Sequence, residues 1–184
     1  MKTVAIAAVA GLAVAATAGS SVKLTFSASA SEINVGDTVS WTVEASYTGL
    51  SSTGYFGGFN GDFVSSDSSL GTAGNFTNNM GFEGTPAAAT GADVNLNVFN
   101  SALLGSDDQS LGVFFTFDVT AEAEGALSYD ASGVATLFNS DFIFDPAIEF
   151  TAFPVNSDTV NIVPAPGALA LLGLGGLVAG RRRR

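Results

Sequence analysis

The chain has 184 residues, six of them basic and seventeen acidic, with no cysteine and no histidine. The missing cysteine removes disulfides, thiolate metal sites and cysteine nucleophiles, and the missing histidine removes Ser-His-Asp triads, imidazole bases and histidine-bound zinc. Lys23 is the only basic residue between Gly19 and Val163, a span that holds all seventeen carboxylates at a formal charge of −16 and so excludes nucleic acid, which demands clustered Lys and Arg.

Lys2 and Thr3 precede thirteen apolar or small residues, Val4 to Ala16. Such a run is too short for a helix spanning a hydrocarbon core of ~30 Å. Ala16-Thr17-Ala18 offers the small side chains that a signal peptidase accepts. The pattern predicts a signal peptide over residues 1–18, with cleavage after Ala18 and Gly19 as the first mature residue.

Residues 19–162 read as one all-β domain. The stretch from Asp37 to Ser46 alternates, with Val39, Trp41, Val43 and Ala45 on one face and Thr38, Ser40, Thr42 and Glu44 on the other. Asp93 to Phe99 repeats this with Val94, Leu96 and Val98, and Gly112 to Thr120 with Val113, Phe115, Phe117 and Val119. Further predicted strands are Val22 to Ala28, Tyr55 to Val64, Val134 to Phe138, Phe142 to Phe144 and Asp158 to Ile162. Turn signals lie at Asn34 to Asp37, Thr48-Gly49, Asn60-Gly61, Gly105 to Asp108, Glu124-Gly125 and Asp145-Pro146. Gly71 to Gly91 carries little pattern and is predicted as a long surface loop, with a helical turn near Pro86 to Ala89 or Ser101 to Leu104. Ser51 to Gly58 is predicted as a second loop, and Pro154 to Asp158 as a break before the last strand. Short strands at turn-bounded spacing predict an antiparallel β-sandwich.

The chain ends with Val163-Pro164-Ala165-Pro166, an uncharged run rich in Ala, Leu and Gly from Gly167 to Gly180, and the cluster Arg181, Arg182, Arg183 and Arg184. A helix over 167–180 is short for a bilayer, and snorkelling arginines with local thinning make up the difference. The positive-inside rule holds the arginines in the cytoplasm and puts the acidic body on the far side.

This tail, residues 163–184, resembles the PEP-CTERM sorting signal of Gram-negative and related bacteria, with Ala165 where that family usually has Glu. The resemblance implies a membrane-embedded, exosortase-like processing enzyme as partner. It also implies a transient inner-membrane anchor with a periplasmic body, then delivery to the cell surface or extracellular matrix.

The body resembles cohesin-like domains of the carbohydrate-binding-fold type. The resemblance rests on Leu24 to Val43, with its Val35-Gly36-Asp37 turn, and on Leu111 to Gly125. It implies a nine-stranded jelly roll and attachment to another surface protein or to extracellular polysaccharide.

Paired carboxylates for glycoside hydrolysis are available among Asp62, Asp67, Asp107, Asp108, Asp141 and Asp145. The oxygen-rich stretches at Asp62, at Asp107 with Asp108, and at Asp141 with Asp145 suit calcium, although none has EF-hand spacing. Solvated turn acids explain them more simply. Trp41, Tyr47, Tyr55 and Tyr129 are the rings able to stack on sugars, but Trp41 falls on the apolar face of its strand and reads as core. The expectation is an exported, non-enzymatic adhesive or structural sandwich with no obligatory cofactor. The alternatives are a secreted carbohydrate-binding or carboxylate-dependent glycoside-acting domain, and an unprocessed inner-membrane-anchored periplasmic protein.

Overall fold

The computed structural model describes residues 21–48, 55–79, 85–99, 113–138, 148–165 and 167. The signal-peptide residues Ala16, Ala18 and Gly19, and the tail residues Pro166 and Arg181 to Arg184, lie outside them, as do Asp107, Asp108, Asp141, Asp145 and the strand expected at 142–144.

The described strands are β1 (Ser21–Ala28), β2 (Glu32–Asn34), β3 (Thr38–Thr48), β4 (Tyr55–Ser65), β5 (Gly71–Asn78), β6 (Thr85–Thr90), β7 (Asp93–Phe99), β8 (Val113–Ala121), β9 (Gly125–Leu127), β10 (Tyr129–Phe138), β11 (Ile148–Phe150), β12 (Val155–Ser157) and β13 (Val160–Val163). A 3-10 turn, Ser68–Leu70, joins β4 to β5. The strands form a first sheet in the order β12-β1-β3-β8-β5, a second in the order β11-β10-β4-β7-β6, and a small third, β2-β13-β9.

Period-two patterning explains why the two large sheets face each other. In β3 the inward residues Val39, Trp41 and Val43 are fully buried while Ser40 and Glu44 are exposed. From the second sheet Phe56, Phe59, Phe63, Val94, Leu96, Ala135 and Leu137 meet them. Aromatic rings fill the centre: Phe26 meets Phe63 edge-on with centroids 4.9 Å apart, and Trp41 meets Tyr129 edge-on at 4.9 Å. Edge-to-face contacts align the positive ring edge with the negative face of the neighbour.

Two ends can be distinguished. Pairing of Thr38 with Thr120, Ser65 with Tyr129, Gly71 with Ala121 and Thr90 with Asp93 gathers short turns at one end, here the lower end. The connections 49–54, 80–84, 100–112 and 139–147 all join strand ends at the opposite, upper end. The chain enters β1 at the upper end, where Ser21 pairs with Thr48, and leaves at the lower end through β13.

Several expectations are corrected. Residues 71–91 are not a long loop, and no helical turn forms at 86–89: β5 and β6 occupy most of the segment. Its apolar signal is weak because the strand packs too closely for large side chains. A Cβ on Gly71 would lie 2.5 Å from the Thr120 carbonyl oxygen, and the inward neighbour Ala73 is buried. The loop expected at 51–58 gives way to β4 from Tyr55 onward. Asn60-Gly61 is not a turn but the middle of β4, where Gly61 opposes Gly133.

Val134 to Phe138 extends back to Tyr129 as β10, and Pro154 to Asp158 contains β12. The sandwich is not purely antiparallel, because β12 runs parallel to β1 and β13 parallel to β2. The described strands number thirteen rather than nine, the additions being mostly three-residue edges. Val163, grouped with the sorting motif on sequence, belongs to β13 and is fixed by the Val35 N–H, which donates to its carbonyl at 2.9 Å.

Candidate functional site: a groove on the second sheet

Inward residues of β4 and β7 build the core, so the alternating residues necessarily point out. On β4 these are Asn60, Asp62 and Val64, and on β7 Asn95. Antiparallel register aligns them: Asn60 pairs with Asn97, and Asp62 with Asn95, which pairs in turn with Ala88 of β6. The result is a groove of about 320 Å³ lined by Asp62, Val64, Ala88, Thr90, Asp93 and Asn95. It lies in the lower half of the face, beside the turn from β6 to β7.

The lining is anchored. The Asn95 side-chain amide donates to Asp62 Oδ1 at 2.6 Å, linking neighbouring strands. Asp93 Oδ1 accepts from both the backbone N–H of Ser65, at 2.8 Å, and the Ser65 hydroxyl. Ser65 is 8% exposed, so these bonds satisfy polar groups that water does not reach. Beneath, the Tyr129 hydroxyl donates to the Ala92 carbonyl at 2.7 Å, holding the start of β7 against the core. Burial, with a smaller contribution from the Asp93 charge, pushes the Tyr129 phenol far above its ordinary value. Small residues on β6 leave the groove open, and Val64, 40% exposed, is the one exposed large hydrophobic among the described residues.

The outer face of the first sheet is different. Thr38 and Thr120 hydroxyls bond each other at 3.0 Å, and Asp118 accepts from Ser40 at 2.6 Å and from the Asn75 amide at 2.9 Å. Side chains pair on both faces, and what sets the second sheet apart is the concave groove with the exposed Val64 at its edge.

The sequence-derived candidates separate accordingly. Asp62 lines the groove. Asp67 instead caps the 3-10 turn, accepting from the Ser69 N–H at 2.9 Å and from its hydroxyl, bonds that hold its carboxyl below the usual range. Trp41 is fully buried and Tyr129 is 4% exposed, so neither offers a sugar-stacking surface. Among the described residues Asp62 shares the groove with one other carboxylate, Asp93, and no group of three acidic side chains gathers. Pro164 and Ala165 follow β13 and are half-buried. Sequence reasoning missed Asp93, Asn95, Ala88 and Thr90 as site residues. The polar alternation of Asp93, Asn95 and Asn97 was the available signal.

No protein-family model matches this chain, and no curated protein does. Solved structures do match. The seventh ScaB type I cohesin from Pseudobacteroides cellulosolvens superposes with a TM-score of 0.54 at 12% identity, covering 79% of this chain and 94% of that one. The cohesin of a type I OlpA cohesin–dockerin complex from Clostridium thermocellum gives 0.55 at 12% identity, covering 78% and 99%. The fold is that of a cohesin module. The solution structure of the cohesin CaCohA2 from Clostridium acetobutylicum agrees, at 0.53 and 15% identity over 78% of this chain and 91% of that one. At these identities the cohesin likeness concerns the fold alone, and the groove has to be read from its own residues.

Proposed function

We propose that this protein is an exported, non-enzymatic adhesion module that docks another surface protein on the outer face of β10, β4, β7 and β6. The observation that carries the reading is the groove. Two carboxylates, Asp62 and Asp93, stand beside an amide and an exposed valine on a sheet whose other face is core. A rigid sheet presents these groups at little entropic cost on binding. The carboxylates select a partner with a lysine, an arginine or hydroxyl donors, and Val64 supplies an apolar contact at the rim. The cohesin fold supports the reading, since a similar structure is a cohesin–dockerin complex.

In this reading the signal peptide exports the chain. The tail, with Pro164, Ala165, Pro166 and the arginines, serves as a transient inner-membrane anchor until an exosortase-like enzyme sends the body to the cell surface or matrix. Among the described residues no helix is long and apolar enough to cross a membrane, so the anchor role rests on the sequence of 167–184.

The test is capture of surface proteins from the producing cells by the immobilised protein. Asp62→Lys should abolish capture of the specific partner, and Ser46→Lys, on the first sheet, should leave it intact. Equal capture by both variants would contradict the groove as the docking site.

A further inference from the structure

The groove and the tail leave the sandwich at the same end, and we infer that membrane tethering masks the groove until the body is released. This rests on the preceding reading of both features and adds a regulatory consequence to it.

Val163 is locked into β13, between β2 and β9. Only residues 164–166 separate it from the uncharged run 167–180. Three extended residues reach at most ~11 Å. The headgroup layer on one side of a bilayer takes up roughly 5–7 Å of that. The lower end of the sandwich therefore stands only a few ångströms above the headgroups.

The groove is at that end. The Ser66 N–H donates to the Ser128 carbonyl and its hydroxyl to the Ala126 carbonyl of β9, and the Ala92 N–H donates to the Ser68 carbonyl, so β13, β9, the 3-10 turn and the start of β7 form one continuous lower rim. Val64, Thr90 and Asp93 each lie within two residues of that rim. At ~3.4 Å per residue the groove centre is then roughly 7–10 Å above it. A partner domain of about 100 residues has a radius of gyration of ~13 Å and extends further than that from its centre. Such a partner centred on the groove overlaps the headgroup layer while the tail is inserted, and fits freely once it is not.

Because the chain has no cysteine, one thiol placed in the groove reports access without any partner. The full chain carrying Ala88→Cys is reconstituted into phosphatidylcholine vesicles, checked by flotation, and labelled with a bulky polyethylene-glycol maleimide. A version with a Gly/Ser spacer of about twelve residues after Pro166, and the original in detergent, are labelled in parallel, with Ser46→Cys, near the upper end, as reference. Masking that leaves the groove open about one-tenth of the time slows labelling about tenfold. The expected result is that slowing only for Ala88→Cys in vesicles with native spacing, restored by the spacer or by detergent. Flotation with equal labelling in all three states overturns the masking and leaves the anchor reading intact. Failure to float overturns the anchor reading and the masking with it.

Discussion

Ser65, the last residue of β4, gives both its backbone N–H and its hydroxyl to one carboxylate oxygen of Asp93, the first residue of β7. The bond joins two strands at the lower rim and fixes the orientation of a groove carboxylate. Replacing Asp93 by Ala leaves the buried Ser65 donors unpaired, a cost of ~1–3 kcal/mol. Denaturant unfolding should show that loss, and partner capture should weaken as well. Asp93→Asn, which keeps an acceptor oxygen, should recover most of the stability.

Tyr129 makes the stability sensitive to base. Its phenol is held neutral by burial and by the neighbouring Asp93 charge, so its folded pKa lies well above the unfolded value near 10. The sign follows: the contribution is complete below the unfolded pKa and is lost as pH climbs above it towards the folded one. Thermal unfolding should therefore show a falling midpoint above about pH 10, reduced in Tyr129→Phe. At neutral pH that variant should still be less stable than the parent, because the Ala92 carbonyl loses its 2.7 Å donor.

Acid acts through two turn carboxylates. Asp37 accepts from the Asn34 side chain and backbone, and Asp67 from Ser69, and each has its pKa lowered by those bonds. A lowered folded pKa means support that is present above the unfolded value and is lost as pH falls through the folded one. Titration below about pH 4 should destabilise the parent more than Asp37→Asn.

Gly61 and Gly133 are opposed across β4 and β10, and a Cβ on Gly133 would lie 2.3 Å from the Asn60 carbonyl oxygen. Gly133 also has φ +147°, a conformation that L side chains rarely adopt. Gly133→Ala should lower stability by ~2 kcal/mol or more, measured by urea unfolding. It should also disturb Asn60 and Asp62, so partner capture should fall with it.

How much of this was legible depended on side-chain size and on sequence distance. Trp41 could be assigned to the core because Val39, Val43 and Ala45 share its face, and the same alternation revealed β7 and β8. The strand β5 gave no such signal, because its inward positions are filled by Gly71 and Ala73, where close packing excludes larger residues. Asn60-Gly61 imitated a turn because the glycine needed opposite Gly133 follows an asparagine. The short strands β12 and β13 form through parallel pairing with β1 and β2, more than 120 residues earlier, and β13 also through antiparallel pairing with β9. The groove was legible only as separate pieces, Asp62 and the polar alternation of β7, because Asp62 meets Asn95 through register, which local patterning does not encode.

Amide hydrogen exchange of the protein with its captured partner tests the docking face most directly. New protection is expected over residues 60–64, 88–90 and 93–95, with β1, β3 and β8 unchanged. Protection confined to the first sheet, or to neither sheet, would contradict the assignment of the groove.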